Sequence, residues 1–393
     1  LHMELTNEEE VARLVESHWG ISLAGLSSTR PEVGMVSQFF LYPAVDGYPT
    51  GLAVRVHDRE DRPEPWIEFE LELEAQLLAH GMRVPRAIPS LNTTTTTTNN
   101  NKKKLVVWDD DKSAVVFVRE PGVVLMNGCT FEHQRPIAHF LAKLHCLSRD
   151  HQLPFERDHV HHVRQRIDPH WAASQISQQL EEFATSDGAR SMRDAQYLRE
   201  LLHELETARD AWLAAELPSG IIHTDLHNYN VLWTNDDGSS DSHPMQLSCV
   251  LDWDEATHGP FVFDLALSLL EWSTASEGYH VAWMRHWMAE YQTLRVLEPI
   301  ERRMMRCAIM GIWTHQFAFL TEPEHCLDAE ALFCFKFQLA MVHFLAVTLT
   351  DQQLEELLFD TQPPSMARYE DLWQQHELRG EELLAQYRQT TMP

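Results

Sequence analysis

The sequence predicts an α+β fold: a small antiparallel-sheet lobe with one helix, followed by a larger, mainly helical lobe. Three observations predict it. Strand-like apolar runs at 35–42, 51–57, 105–109 and 114–120 crowd into the first third of the chain around a helical run at 64–80. Beyond Pro121-Gly122 the apolar spacing is helical almost throughout. The exception is a block at 221–253, where strand-like runs flank a dense set of polar residues. The division is therefore expected at 1–120 and 121–393.

The elements follow in order. An opening helix is expected at 4–17, with Thr6 as its N-cap and Glu9 completing a capping box. The runs MVSQFFLY and GLAVRVH form a strand pair, and Asp46-Gly47 between them signals the turn. The helix EPWIEFELELEAQLLAH ends at Gly81, with Pro85 beyond it. The tract NTTTTTTNNNKKK at 92–104 has nothing to bury and is expected to be a disordered insertion in a strand-to-strand loop. Helical spacing then marks 131–149, 193–216, 261–293, 298–320 and 328–350. The run at 331–350 is as long as a membrane span, but Lys336, Gln338 and His343 inside it predict a buried core helix.

Composition narrows the class. Of 393 residues, 44% are hydrophobic and 23% charged, the balance of a globular protein. The 31 Lys and Arg against 59 Asp and Glu leave a net charge of −28, a field that repels nucleic acid and favours a cationic or zwitterionic substrate. Six scattered cysteines without a CxxC pair are expected to be reduced and buried. The start LHMELTNEEE has no basic or apolar leader character, so a cytoplasmic location without membrane association is expected. Oligomeric state is not legible.

The chemistry-bearing block is IIHTDLHNYNVLW followed, after a polar turn, by QLSCVLDWDEATHGP. Asp225 lies two residues after His223, Asn230 lies five after Asp225, and Asp252 closes the next strand-like run. That spacing resembles the HxDxxxxN loop of kinases and the metal-binding aspartate that follows it. Phosphoryl transfer to an alcohol needs a carboxylate to orient the hydroxyl and accept its proton, a role for Asp225. It also needs hard oxygen ligands for magnesium, which Asp252 and the amide of Asn230 supply. Two other readings stay open: polar turn residues of a hairpin, and a zinc set within His223-x-Asp225-x-His227 that lacks its remaining ligands. In the small lobe Arg55 of LAVR stands where the kinase pattern places a lysine, and is the candidate phosphate contact. Its helix partner is expected to be Glu70 or Glu74, with Glu74 preferred. The phosphate loop has only Gly34 and Ser37 to offer. The histidine-rich run RDHVHHVRQR at 157–166 reads as a solvated helix face, with a metal site as the alternative.

Together these stretches, with EAQLLAHG, VVFVREPG, FLAKLH and VFDLALSLLEW, resemble the aminoglycoside phosphotransferase and choline kinase-like superfamily, which shares the protein-kinase plan but acts on small molecules. The run at 290–320 is most similar to the homoserine kinase and hydroxylysine kinase branch. The resemblance implies an enzyme that uses ATP and Mg2+ to phosphorylate a small hydroxylated metabolite, an amino acid or amino alcohol resembling homoserine. Choline, ethanolamine or an aminoglycoside as acceptor, a nucleotide-binding pseudokinase and a metallohydrolase are the alternatives. It also implies that His223 and Asp264 brace the catalytic loop and that the backbone of Val116 to Arg119, with Val116 and Val118, meets adenine. Glu271, Trp272 and Trp313, with Arg306 and His315, are the substrate candidates.

Overall fold

The computed structural model of the chain describes residues 7–30, 37–59, 62–91, 105–107, 112–125, 130–150, 189–235, 246–275, 278–320, 339–360, 367–369 and 371–376. Its elements run α1 (Glu8–Trp19), β1 (Ser37–Tyr42), β2 (Leu52–Asp58), α2 (Glu64–Ala79), β3 (Arg86–Ala87), β4 (Leu105–Val107), β5 (Lys112–Val118), β6 (Val123–Val124), α3 (Phe131–Asp150) and α4 (Ala189–Ala214). The block of interest follows as β7 (Ser219–Ile222), a 3-10 turn (Asn228–Asn230), β8 (Val231–Thr234), β9 (Gln246–Val250) and β10 (Thr257–Pro260). Then come α5 (Phe261–Glu271), β11 (Thr274–Ala275), β12 (Gly278–Tyr279), α6 (Val281–Gln292), α7 (Pro299–Leu320), a π turn (Phe344–Thr348) and α8 (Asp351–Phe359).

The chain forms two compact units, residues 1–125 with 229–256 and residues 126–228 with 257–393. The expected division near 121 grouped 229–256 with the helical part. In the structure that segment joins the first unit because β8 pairs with both β6 and β9, and because the Val250 N–H donates to the Arg83 carbonyl. Backbone groups that would otherwise be orphaned set this membership, and they carry no periodicity in the sequence.

In the first unit an antiparallel sheet runs β1–β2–β5, with β3 and β4 both on the other edge of β5. Alternation along β2 decides which helix each side chain meets. Leu52, Val54 and Val56 join Val11, Leu14, Val15 and Trp19 of α1 in one apolar cluster. Ala53 packs with Ile67 and Leu71 of α2 and with Val115 and Phe117 on the other face. Arg55, in register with Val115, therefore points to the α2 side. The turn at Asp46-Gly47 forms as expected, with Gly47 left-handed at φ 82° and Val45 bridged to Tyr48. The first helix is capped one residue later than expected: Asn7, whose side chain accepts the Glu9 N–H at 2.9 Å, is the N-cap, and Thr6 lies outside the described residues.

In the second unit α3 packs on α6 and α5 on α7, around a core that includes Phe261, Phe263, Trp287, Tyr291 and Trp313. All of α5 except Glu271 is buried, which explains its nearly unbroken apolar sequence. The single helical stretch expected at 261–293 is instead interrupted after Glu271 by the β11–β12 hairpin. Of the core helix expected at 328–350, only 339–350 is described, and it ends in the π turn. The tract at 92–104 and the histidine run at 157–166 lie outside the described residues. Among the described residues no helix is long and apolar enough to cross a membrane. Cys146, Cys249 and Cys307 are free thiols, Cys146 being exposed.

Candidate active site

Arg55 is 5% exposed, and each of its two terminal nitrogens bonds a carboxylate. One donates to Glu70 Oε1 at 2.7 Å and the other to Asp254 Oδ2 at 3.1 Å, with Asp252 Oδ1 at 3.8 Å. The helix partner is thus Glu70 and not the preferred Glu74. The reason is a second guanidinium: Arg62, two residues ahead of α2, donates to Glu70 Oε2 at 3.0 Å and to Asp254 Oδ2, pulling Glu70 into the site. Glu74, one turn on, is also buried and adds negative charge near Arg55. Burial would lower the pKa of Arg55, but Glu70, Asp254, Asp252 and Glu74 more than offset that and hold it above its ordinary value. The same surroundings keep His57 neutral: burial first, then the charges of Arg55 and Arg62, push its pKa well below the usual range.

Asp252 follows β9 with φ 62°, a left-handed conformation that costs a non-glycine residue about 1–3 kcal/mol and tends to mark functional positions. Its side chain is 41% exposed. The Leu251 N–H donates to the Asn230 carbonyl at 2.8 Å, so Asn230 and Asp252 flank one hydrogen-bonded crossing of β8 and β9. A carboxylate and an amide oxygen fit magnesium, which fills its remaining positions with water and phosphate oxygens. Among the described residues no group of three or more His, Cys, Asp or Glu is gathered as a zinc site would need.

In the second unit the loop after β7 carries Asp225, whose side chain is 35% exposed and lies 3.2 Å from His227 Nε2. The loop is held from behind. Asp264, fully buried in the first turn of α5, accepts the N–H groups of His223 at 2.8 Å and Thr224 at 2.9 Å. Thr224 is the other non-glycine residue described with positive φ, at 70°, and the two bonds to Asp264 hold that strained turn. His223 is buried, and its Nδ1 accepts the Asp225 N–H at 3.3 Å. The Trp272 indole donates to the Leu226 carbonyl at 2.9 Å.

Behind Asp264 a buried polar chain continues inward. His145 Nε2 is 3.2 Å from Asp264 Oδ2, its Nδ1 is 2.7 Å from the Tyr291 hydroxyl, and Arg295 donates to that hydroxyl at 3.0 Å and to Glu301 at 2.8 Å. Assigning protons from this network gives one direction throughout: Arg295 to Tyr291, Tyr291 to His145, His145 to Asp264. Burial alone would raise the pKa of Asp264, but the His145 hydrogen bond, the electrostatic pull of the His145 and His223 imidazoles and the His223 N–H reverse it, so the carboxyl stays ionised below its ordinary value.

Several expected site residues are placed otherwise. Gly34 lies outside the described residues, and Ser37 is at the start of β1 with its hydroxyl 3.1 Å from His57 Nδ1. The side chains of Val116 and Val118 are buried in the α1 cluster, the Val116 carbonyl accepts the Ile88 N–H, and the Arg119 N–H is given to Gly51. Trp272 and Trp313 are buried, so neither offers a substrate surface; Trp272 braces the loop and Trp313 fills the core. Arg306 bonds the Leu349 carbonyl at 2.7 Å and Asp351 at 2.8 Å, closing the end of the π turn. Glu271 is half-buried at the end of α5, and the His315 side chain is not described. Sequence reasoning missed Arg62, Asp254, His145, Tyr291 and Arg295. Asp254 had a signal in the doubled carboxylate of Asp-Trp-Asp; the other four are single polar residues in otherwise ordinary runs.

The Phosphotransferase enzyme family model matches residues 44–299, more than half of the chain. The chain belongs to the phosphotransferase enzyme family. This phosphotransferase is similar to a homoserine kinase of Methylobacterium nodulans, 27% identical over 67% of this chain and 70% of that one. It is also similar to a homoserine kinase of Methylorubrum populi, 30% identical over 43% of this chain; that match spans 46%, less than half, of the relative's length. Among solved structures it resembles the microcompartment-associated aminopropanol kinase, with a TM-score of 0.60 at 18% identity over 89% of this chain and all of that one. A spectinomycin phosphotransferase in complex with ADP and spectinomycin gives 0.59 at 12% identity, over 88% of this chain and all of that one. At these identities the likeness establishes the fold, which is the protein-kinase-like α+β fold of phosphotransferases.

Proposed function

We propose that this phosphotransferase moves the γ-phosphoryl group of ATP to the hydroxyl of a small amino acid or amino alcohol resembling homoserine. The observation that carries this reading is the loop of Asp225, held in a strained conformation by the paired N–H bonds to Asp264. Strained backbone clusters at sites that present a group for chemistry, and the group presented here is a partly exposed carboxylate.

In this mechanism Asp225 accepts the proton of the acceptor hydroxyl as its oxygen forms a bond to the γ-phosphorus and the bond to the bridging oxygen of ADP breaks. His227, at 3.2 Å, orients the Asp225 carboxylate. Asn230 and Asp252 would hold magnesium, which neutralises phosphate charge when bound. Arg55 binds a phosphate oxygen, and Glu70 fixes its guanidinium from the helix side. The homoserine kinases among the similar proteins support the acceptor class, as does the excess of carboxylates, which favours a substrate carrying an ammonium group.

The test is Mg2+-dependent ADP release from ATP with homoserine, hydroxylysine, aminopropanol, choline, ethanolamine and aminoglycosides as acceptors. Stimulation by homoserine or a close amino alcohol, lost in Asp225→Ala, is expected. Stimulation by aminoglycosides alone would replace the acceptor class. Nucleotide binding with no acceptor-dependent turnover would favour a pseudokinase, and co-purified zinc a metallohydrolase.

A further inference from the structure

Arg55, Glu70, Arg62 and Asp254 form a closed ring of alternating charge: each arginine bonds both acids and each acid bonds both arginines. Three of the four are at most 5% exposed, and Asp254 has a side chain 17% exposed. A lysine in place of Arg55, paired with one glutamate, would need no such ring. The second cation is built in as well, since the Arg62 N–H donates to the Asp58 carbonyl at 2.8 Å and seats the residue at the mouth of α2.

The ring resolves a conflict inside the phosphate site. For Arg55 to turn an edge of its guanidinium to a phosphate oxygen, its second amino group must loosen its hold on Asp254, and weakening an ion pair on a largely buried carboxylate is costly. Arg62 keeps hold of Asp254 and of Glu70 when Arg55 turns away. Without Arg62 both acids, together with Asp252 at 3.8 Å, would draw more strongly on Arg55 and hold it against a phosphate. We infer that Arg62 is a positioning residue for nucleotide binding, one that frees Arg55 for phosphate by taking over its two carboxylates. This rests on the proposed nucleotide reading of the site. It also accounts for an arginine at position 55, because only a two-ended guanidinium can hold Glu70 while it gives up Asp254.

The experiment measures binding of Mg·AMP-PNP by calorimetry, with thermal unfolding recorded on every variant. Arg62→Met is expected to weaken binding about tenfold or more, and Asp254→Asn added to Arg62→Met is expected to recover most of that loss by removing the acid that clamps Arg55. Should Arg62→Met fail to fold, Arg62→Lys, which keeps the charge but not the two-ended grip, is expected to bind severalfold more weakly, with the same recovery by Asp254→Asn. A variant that melts earlier yet binds Mg·AMP-PNP as tightly as the wild type overturns the inference, as does a loss of binding that Asp254→Asn leaves unchanged. A wild-type protein that fails to bind Mg·AMP-PNP removes the nucleotide reading and this inference with it; binding by the wild type with no change in Arg62→Met removes this inference alone.

Discussion

At the scale of single residues the two aspartates assigned to chemistry should separate cleanly. Asp225→Asn keeps the size of the side chain but cannot accept the hydroxyl proton, so turnover should fall by about 10²-fold or more while Mg·ATP affinity stays within a few-fold. Asp252→Ala should instead abolish the magnesium dependence of nucleotide binding, which calorimetry with and without the metal reads directly. Asp264 is a third case, because it acts through the loop and touches no substrate. Asp264→Asn replaces one acceptor oxygen with a donor facing the N–H groups of His223 and Thr224 and the imidazole of His145, which should cost about 3 kcal/mol in denaturant unfolding. The residues proposed for catalysis, Asp225, Asn230 and Asp252, stand out in the sequence because such chemistry dictates residue type and spacing at once. Arg62 and Tyr291 were not, because an arginine beside a proline and a tyrosine near a helix end are common wherever a chain turns.

Elements were legible wherever apolar period and punctuation agreed. The strands on either side of Asp46-Gly47 and the helix ending at Gly81 formed within two residues of expectation because alternation, turn residues and a terminating glycine all pointed one way. The interruption between α5 and α6 was hidden because Trp272, Ser273 and the β11–β12 hairpin continue a run with apolar residues at helical spacing. Tertiary bonds account for the chain leaving the helix there: the Trp272 indole donates to the Leu226 carbonyl, and the Trp272 carbonyl accepts from the Gln134 side chain at 2.6 Å. A different junction offers a sharp test of element packing. Gly51, which leads into β2, has φ 95°, and a Cβ placed on it would meet the Tyr42 carbonyl oxygen at 2.2 Å. Both the left-handed backbone and the immovable carbonyl oppose a side chain, so Gly51→Ala should lose about 2–4 kcal/mol. A fall in melting temperature of only a degree or two would mean that the β1–β2 connection can open without disturbing the sheet.

For the whole molecule, the fold class was readable because a strand-rich start and a helix-rich remainder are compositional facts. The membership of 229–256 was not, because it depends on ladder partners more than 100 residues apart. The same long-range packing determines how the protein responds to pH. Burial lowers the pKa of His57 and His145 in the folded chain, with the charges of Arg55 and Arg62 adding to the effect at His57 and Asp264 partly opposing it at His145. Above about pH 6.5 these imidazoles are neutral folded or unfolded and contribute nothing to the difference. Below it the unfolded chain binds protons that the folded one refuses, so stability is lost as pH falls, by at most about 1.4 kcal/mol per pH unit for each such histidine. The net charge of −28 acts in the other direction, since protonating carboxylates relieves repulsion, but ordinary carboxylates titrate near pH 4. Between pH 7 and 5.5 the histidines therefore win, and the melting temperature should decline steadily across that window. His57→Gln should flatten the decline, because glutamine can still meet the Ser37 hydroxyl while having no proton to bind. An unchanged slope in His57→Gln would place the pH dependence elsewhere and leave His57 a neutral packing residue at every pH in the window.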